Sequence, residues 1–219
     1  MIHAYNKAYL EKAQTALARM LDYAVYDLRF DLSDFFDLFC SSGLADDFGH
    51  GDVGLLVGRS GVELAWEVLA RTGKEQHEIP ALFRSERSAE YWTGWALAYY
   101  QWATALRFAK IVRVVPIKTI KSLYSPYHEM DIRHFVVEMN RLYLANKPCT
   151  NLKERRLAAK LTQRQLAEQS GVPLRTLQQY EQGQKNINKA QAEYVIALAR
   201  ATYCQPSDLL ELDISDTPA

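Results

Sequence analysis

Two short stretches of the chain contain side chains whose types could bind a metal ion. In HEMDIRH, His128 and His134 are six residues apart, whereas two metal ligands on one helical face need a spacing of four. The stretch DDFGHGD at residues 46–52 offers three aspartates and a histidine, but its composition is that of a solvated turn. We therefore predict that the chain holds no metal ion and needs no cofactor.

A third stretch, GRSG at residues 58–61, could hold a phosphate group at a helix N-terminus, with Arg59 adding positive charge. It lacks the preceding strand and the lysine that phosphate-binding loops have. No serine, cysteine or aspartate has an evident base partner in the sequence, so we expect no enzyme. The alternative is a regulator whose N-terminal domain binds a small molecule or a nucleotide and could be enzymatic.

A fourth stretch, TQRQLAEQSGVPLRTLQQYEQG at residues 162–183, has the pattern of two helices joined by a sharp turn. Thr162 can cap the first helix, and Gly171 can adopt the left-handed conformation that such a turn needs. Pro173 and Leu174 are suited to begin the second helix. The stretch therefore predicts a helix-turn-helix motif.

Three polar side chains are expected to face outward near the start of the second helix, namely Arg175, Gln178 and Gln179. Arginine can bond to both acceptors of a guanine edge, and glutamine can pair with adenine. In helix-turn-helix proteins the second helix lies in the major groove, and its first residues contact base edges. The sequence therefore predicts that these three residues contact DNA bases.

Charge is unevenly distributed along the chain. The whole chain has 26 basic and 26 acidic residues, whereas residues 151–205 contain nine basic residues and four acidic ones. A local excess of positive charge favours binding to the phosphate backbone of a nucleic acid. The neutral charge of the whole chain hides this local preference.

Almost every other long segment repeats apolar residues at steps of three and four, which is typical of amphipathic helices. Strand-like alternation is limited to IVRVV at residues 111–115. We therefore predict an all-α protein.

The helical pattern is interrupted at ANKPCT, residues 145–150. Pro148 breaks the pattern, and Thr150 can cap a new helix with Glu154 near the position of a capping-box acid. We place a domain boundary at this point. The predicted divisions are a helical partner-binding domain at 1–145, a linker at 146–150, a DNA-binding domain at 151–211 and an acidic tail at 212–219.

Residues 151–211 resemble the DNA-binding domain of the Xre family, which includes Cro and the phage repressors. The resemblance rests on LTQRQLAEQSGV, on Glu181 and Gly183 at the end of the second helix, and on the closing SDLL. It implies an N-terminal helical domain followed by a five-helix, repressor-type domain that binds double-stranded DNA. A single helix-turn-helix contacts few base pairs, so we expect a homodimer on two half-sites.

The same resemblance implies contacts with the DNA backbone. Gln163, at the start of the first helix of the motif, is expected to bond a phosphate. Lys185 and Asn186, after the glycine, are expected to hold the next phosphates. Pro173 stands where the family usually has serine or threonine, and it offers neither an N–H group nor a side-chain oxygen for a phosphate.

The N-terminal region resembles a group of bacterial regulators encoded beside ADP-ribosyltransferase-like toxins. The resemblance rests on GRSGVELAWEVL, EYWTGWALAYYQW and YSPYHEMDIRHF. It implies an antitoxin-like autorepressor. Its N-terminal domain would bind the toxin or an accessory protein encoded nearby, and its C-terminal domain would repress the operon.

The aromatic segment at residues 90–102 is the predicted surface for that partner. The helical face expected in the core comprises Trp92, Trp95, Tyr99 and Trp102. Tyr91 and Tyr100 lie off this face, and tyrosine is enriched at interface anchors. We therefore predict that Tyr91 and Tyr100 are exposed and bind the partner protein.

Cysteine usage and hydropathy bear on the location of the protein. Cys40, Cys149 and Cys204 are far apart and form no CxxC motif, which is typical of isolated thiols in a reducing compartment. No apolar run approaches the roughly 18–20 residues that span a bilayer, and the N-terminus lacks the layout of a signal peptide. We expect a cytoplasmic protein without membrane contact.

Overall fold

The computed structural model describes residues 3–74, 79–82 and 86–212 of the chain. These residues form helices, turns and loops, and none of them lies in a strand, which confirms the all-α prediction. Residues 111–114 of the strand-like IVRVV segment belong to a helix from Phe108 to Val114, in which Phe108, Ile111 and Val114 are buried at steps of three. Helical periodicity therefore outweighs the β propensity of the valines.

The chain divides into two compact units between Asn146 and Lys147. One helix ends at Asn146 and the next begins at Asn151. Lys147, in the predicted linker, pairs with the carboxylate of Glu211 inside the second unit. Of the predicted acidic tail, residues 213–219 lie outside the described residues.

The described residues of the first unit contain ten α-helices, preceded by a 3-10 turn at Lys7–Tyr9. In chain order the helices are α1 (Leu10–Tyr26), α2 (Leu32–Ser41), α3 (Leu44–Gly49), α4 (Val53–Leu56), α5 (Gly61–Arg71), α6 (Ala89–Thr104), α7 (Phe108–Val114), α8 (Ile117–Ser122), α9 (Tyr124–Tyr127) and α10 (Ile132–Asn146). None of the helices in the described ranges is long and apolar enough to cross a membrane.

Helix α1 is the centre of the first unit and packs against both α5 and α6. Leu17, Met20 and Leu21 of α1 are fully enclosed by this packing. At Gly94 of α6 the two backbones lie so close that a Cβ atom would be 2.6 Å from the carbonyl oxygen of Leu17. The crossing of α1 and α6 therefore requires glycine at this position.

A cluster of phenylalanine rings joins α2, α3 and α7. Phe36, Phe39, Phe48 and Phe108 are all buried, and the ring centroids of neighbouring pairs are 5.6–6.2 Å apart. Edge-to-face and tilted arrangements at such distances are favourable for aromatic pairs. The cluster therefore gives these short helices a shared apolar core.

A buried carboxylate, Glu90, ties the start of α6 to its neighbours. It accepts a hydrogen bond from the hydroxyl of Tyr26 at 3.0 Å and pairs with Nζ of Lys121 in α8 at 2.5 Å. Burial raises the pKa of Glu90, but the hydrogen bonds from Lys121, its own backbone and Tyr26 outweigh burial and hold the pKa below its ordinary value. Glu90 is therefore a charged link between α1, α6 and α8.

The described residues of the second unit contain four α-helices and two 3-10 turns. The helices are α11 (Asn151–Ala158), α12 (Gln163–Ser170), α13 (Leu174–Glu181) and α14 (Ala192–Ala201). The 3-10 turns lie at Ile187–Lys189 and Pro206–Leu209.

The second unit has its own apolar core. Leu152, Leu166, Leu177, Leu198 and Leu209 come from α11, α12, α13, α14 and the last 3-10 turn, and all five are buried. Every helix of the unit therefore contributes to one core, which holds α12 and α13 in a fixed relative position.

Candidate nucleic-acid interface

Both ends of α12 are fixed by local hydrogen bonds and backbone geometry. The hydroxyl of Thr162 accepts a hydrogen bond from the backbone N–H of Gln165 at 3.2 Å. The Gln165 side chain accepts one from the N–H of Thr162 at 2.9 Å, which completes a capping box. Gly171 ends the helix with φ of 69°, which glycine adopts without strain. The predicted roles of Thr162 and Gly171 are confirmed.

Helix α13 buries one face and leaves the other accessible. Leu177 and Tyr180 are buried in the core of the second unit. Arg175 is exposed, and Gln178 and Gln179 are half-buried. The three residues predicted to contact bases therefore all retain surface that a DNA duplex could reach, and their base contacts stay a prediction.

A buried ion pair connects α11 to the end of α13. Nε and Nη2 of Arg156 lie 2.6 and 3.0 Å from the two carboxylate oxygens of Glu181. The two side chains are only 9% and 2% exposed. Arg156 also donates to the carbonyl oxygen of Leu161 at 2.8 Å. Bidentate pairing of this kind combines charge with fixed geometry, so the end of α13 is firmly positioned.

The same carboxylate orients polar side chains at the accessible edge of α13. Gln163 Nε2 donates to Oε2 of Glu181 at 2.8 Å, and Gln178 Nε2 donates to Oε1 of Gln163 at 3.4 Å. A hydrogen-bonded chain therefore runs from Arg156 to Gln178. Residue spacing could not predict this series of hydrogen bonds, because Arg156 and Glu181 are 25 residues apart in the sequence.

Exposed cations of the second unit are of two kinds. Arg155 and Arg164 lie in ion pairs with neighbouring carboxylates, at 3.2 and 3.1 Å. In the described part of the chain, no carboxylate lies within 4.0 Å of Arg175, Lys185 or Lys189, and all three are exposed. Unpaired cations can neutralise DNA phosphates and release their counterions. Positive charge without a carboxylate partner in the described part of the chain therefore lies on α13 and on the segment that follows it.

The segment after α13 is held by backbone and capping hydrogen bonds. The backbone N–H of Lys185 donates to the carbonyl oxygen of Gln179 at 3.1 Å. Oδ1 of Asn186 accepts from the backbone N–H of Asn188 at 2.9 Å and begins the next 3-10 turn. The side chains of Lys185 and Asn186 are exposed, and the amide NH₂ of Asn186 is the group left to donate to a phosphate.

Tyr100 lies in the core, so the prediction that it is exposed for partner binding is wrong. It is 0% exposed, and its hydroxyl donates to Oδ1 of Asn140 at 3.1 Å. Its ring packs edge-on against Phe135 of α10, and burial raises the pKa of its hydroxyl. The physical reason is that α6 is covered by α1 and by α10, whereas the prediction assumed a single buried face.

Tyr91 differs from Tyr100 because it is only half-buried. On the predicted core face, Trp92 and Trp102 are buried, whereas Trp95 and Tyr99 are half-buried. The aromatic face of α6 is therefore partly accessible near Tyr91, whose partner contact stays a prediction.

The GRSG stretch has its anion-binding groups engaged within the protein. The hydroxyl of Ser60 accepts from the N–H of Glu63 at 3.3 Å, and the Glu63 carboxylate accepts from the N–H of Ser60 at 2.7 Å. These hydrogen bonds with Ser60 hold the pKa of Glu63 below its usual value. Arg59 pairs with Glu67 at 2.7 Å. The carboxylate of Glu63 therefore already occupies the N-terminal end of α5, where a phosphate group would have to bind.

Among the described residues, no group of three histidine, cysteine, aspartate or glutamate side chains is arranged to hold a metal ion. The His128 ring stacks on Tyr124 with centroids 4.3 Å apart. All three cysteines are free thiols, and burial raises the pKa of Cys40 to about 12.

The arrangement of α12, the turn at Gly171 and α13 defines a helix-turn-helix DNA-binding domain. Residues 152–209 match the family model HTH_3, described as helix-turn-helix, which is of the Xre and Cro type. This domain indicates a DNA-binding transcriptional regulator. Comparison with curated proteins and with solved structures found no match. The family match covers no residue before Leu152, so it carries no information on the antitoxin-like resemblance.

Proposed function

We propose that the protein represses its own operon by binding a specific DNA sequence through α13, as an antitoxin-like autorepressor. The accessible edge of α13 carries this proposal. In support, Arg175, Gln178 and Gln179 keep accessible surface on α13, and their side-chain types suit contact with base edges. Lys185 is exposed and has no carboxylate partner among the described residues, which suits contact with a phosphate.

The test is a titration of the full-length protein against the promoter of its operon and a scrambled duplex, over a series of salt concentrations. Each neutralised phosphate should contribute about −0.9 to the slope of log affinity against log salt. The promoter should bind more tightly than the scrambled duplex at every salt concentration. Affinity that does not depend on salt, or that is equal for both duplexes, would contradict the proposal.

We further propose that the protein binds DNA as a homodimer whose contact lies in the first unit. In support, Val137 and Leu144 expose apolar side chains two turns apart on α10. Footprinting should show an inverted repeat with protected centres about 34–36 Å apart, or a multiple of that spacing. A single unrepeated footprint at saturating protein would count against the dimer.

We also propose that the first unit binds a toxin-like or accessory protein encoded nearby, through a surface that includes Tyr91. In support, Tyr91 keeps accessible aromatic surface. Tyr91→Ala should weaken co-purification of the neighbouring gene product while melting temperature and promoter binding stay normal. The matched control is Tyr203→Ala, which removes a 90% exposed tyrosine of the second unit. Equal co-purification with both variants would refute the surface.

We propose that the protein acts in the cytoplasm, where the DNA lies, by binding rather than by catalysis. In support, Arg59 and Ser60, the groups best suited to hold a nucleotide, are engaged with Glu67 and Glu63. Turnover of a nucleotide by the purified protein, abolished by Arg59→Ala, would instead favour the nucleotide-binding alternative.

A further inference from the structure

A cavity of about 240 Å³ opens between the start of α6 and the segment from α9 to the start of α10. Six aromatic rings contribute to its wall, from Tyr91, Trp92, Trp95, Tyr124, Tyr127 and His128. Aromatic walls of this kind bind flat apolar groups by stacking and edge contacts. All of its lining residues belong to the first unit, and one of them, Tyr91, also belongs to the surface proposed above for the partner protein.

Contacts among the rings of the wall, and with Phe135, which does not line the cavity, hold the wall in place. The Trp92 ring lies edge-on to Tyr124 and to Phe135, with centroids 5.7 and 5.2 Å away. The His128 ring stacks on Tyr124 at 4.3 Å. Because these rings are fixed by one another, a flat ligand would meet a largely preformed wall and would pay little entropy to order it.

The charge of the cavity wall is positive. Arg87 lines the cavity, and its guanidinium carbon lies 5.2 Å from the centroid of the Tyr91 ring. Among the described residues, Arg87 has no carboxylate partner, and none of the lining residues is an aspartate or a glutamate. An arginine without a carboxylate partner attracts an anionic ligand and repels a cationic one, so Arg87 gives the wall a preference for an anion over a cation.

The two tryptophans that line the cavity have indole N–H groups without a hydrogen-bond partner among the described residues. Trp66 and Trp102, elsewhere in the unit, donate their indole N–H groups to the hydroxyl of Tyr23 and the carbonyl oxygen of Tyr5, at 3.0 and 2.9 Å. The indole N–H groups of Trp92 and Trp95 have no such partner among the described residues. The two tryptophans with free donors are therefore the two that line the cavity.

We propose that this cavity binds a small planar aromatic acid of one or two rings. The ring would lie against the aromatic wall, and the carboxylate would pair with Arg87. An apolar cavity of about 150 Å³ can hold benzene, whereas drug-sized ligands need about 300 Å³ or more, so the volume fits a small ligand. The proposal goes beyond DNA and protein binding and depends on neither.

Three probes of the same shape test the charge preference of the cavity in the full-length protein by titration calorimetry. They are 2-naphthoate, its neutral amide, and the cationic 2-naphthylmethylamine. We expect the acid to bind about tenfold more tightly than the amide, since a charge-assisted hydrogen bond is worth about that factor. The amine should bind most weakly. Absence of acid binding, or equal binding of the three probes, would overturn the proposal.

Two arginine variants locate the effect. Arg87→Met should remove the preference for the acid over the amide, and its melting temperature should be normal because Arg87 is exposed. The matched control is Arg141→Met, which removes an exposed arginine of the same unit that pairs with Glu138 and does not line the cavity. Retention of the preference in Arg87→Met, or its loss in Arg141→Met, would overturn the proposed site.

Discussion

The guanidinium of Arg156 and the carboxylate of Glu181 form a two-point contact inside the DNA-binding unit, at 2.6 and 3.0 Å. Glu181 also receives the hydrogen bond that orients Gln163, a residue expected to contact a phosphate. One buried pair therefore supports the packing of α11 on α13 and the position of side chains at the accessible edge of α13.

Glu181→Gln should destabilise the second unit by about 3–5 kcal/mol, because it leaves the buried charge of Arg156 unpaired. Unfolding in urea should be followed by circular dichroism and by tryptophan fluorescence together. All four tryptophans lie in the first unit, so only circular dichroism reports the second unit. The matched control is Glu168→Gln, which breaks the exposed pair with Arg164 and should cost about 0.5 kcal/mol or less. An equal loss of unfolding free energy in Glu181→Gln and Glu168→Gln would contradict the prediction.

Arg175→Ala and Lys185→Ala should affect DNA binding in different ways. Loss of Arg175 should cost about 1–3 kcal/mol at one base pair and relax the sequence preference there. Loss of Lys185 should weaken binding to all sequences alike and reduce the salt slope by about one. Both side chains are exposed, so the fold should be unaffected. Competition among duplexes with single base changes measures both effects, and an identical profile for the two variants would show that the base-contacting residues are misassigned.

Gly94→Ala should destabilise the first unit. Alanine in place of glycine inside a helix normally stabilises by about 0.5–1 kcal/mol. Here a Cβ atom would lie 2.6 Å from the carbonyl oxygen of Leu17 and 2.7 Å from Cα of Ala18, so we expect a loss of about 1–3 kcal/mol. Urea unfolding, monitored by tryptophan fluorescence, measures the change in the free energy of unfolding of the first unit. A neutral or stabilising result would mean that α1 and α6 do not cross this closely.

Glu90→Gln should lower the stability of the first unit in a pH-dependent way. Its pKa is held below the ordinary value of 4.5 in the folded protein, because its hydrogen bonds with Lys121, its own backbone and Tyr26 outweigh burial. The ionised form therefore contributes stability that is complete above the unfolded pKa and is lost as the pH falls through the folded pKa. The substitution should lower the melting temperature at about pH 7 more than at about pH 3. The same loss at both pH values would exclude a role for the charge.

The helix-turn-helix could be predicted from sequence because its signals are local. Thr162 and Gln165 cap α12 within a few residues, and Gly171 provides the positive φ of the turn. The apolar spacing of Leu177 and Tyr180 then determines which face of α13 is buried. None of these features depends on a distant part of the chain.

Tyr100 and the Arg156–Glu181 pair could not be predicted in the same way. The burial of Tyr100 depends on α10, which begins more than thirty residues later in the chain at Ile132. The aromatic residues of α6 predicted a single buried face. Gly94 lies on the face of α6 that contacts α1, and its small size was not used in that prediction. In both cases the deciding partner is distant in sequence, so residue spacing within one helix does not identify it.

The close crossing of α1 and α6 also has a consequence for synthesis of the protein. Helix α1 begins at Leu10, α5 begins at Gly61, and α6, which crosses α1 at Gly94, begins only at Ala89. At a translation rate of about 5–20 residues per second, roughly 4–16 s pass between synthesis of the start of α1 and synthesis of the start of α6. The four helices of the DNA-binding unit all lie between Asn151 and Ala201, so each of them meets its partner helices after a shorter stretch of synthesis. We therefore expect the first unit to expose apolar surface for longer than the second unit while the chain is being made.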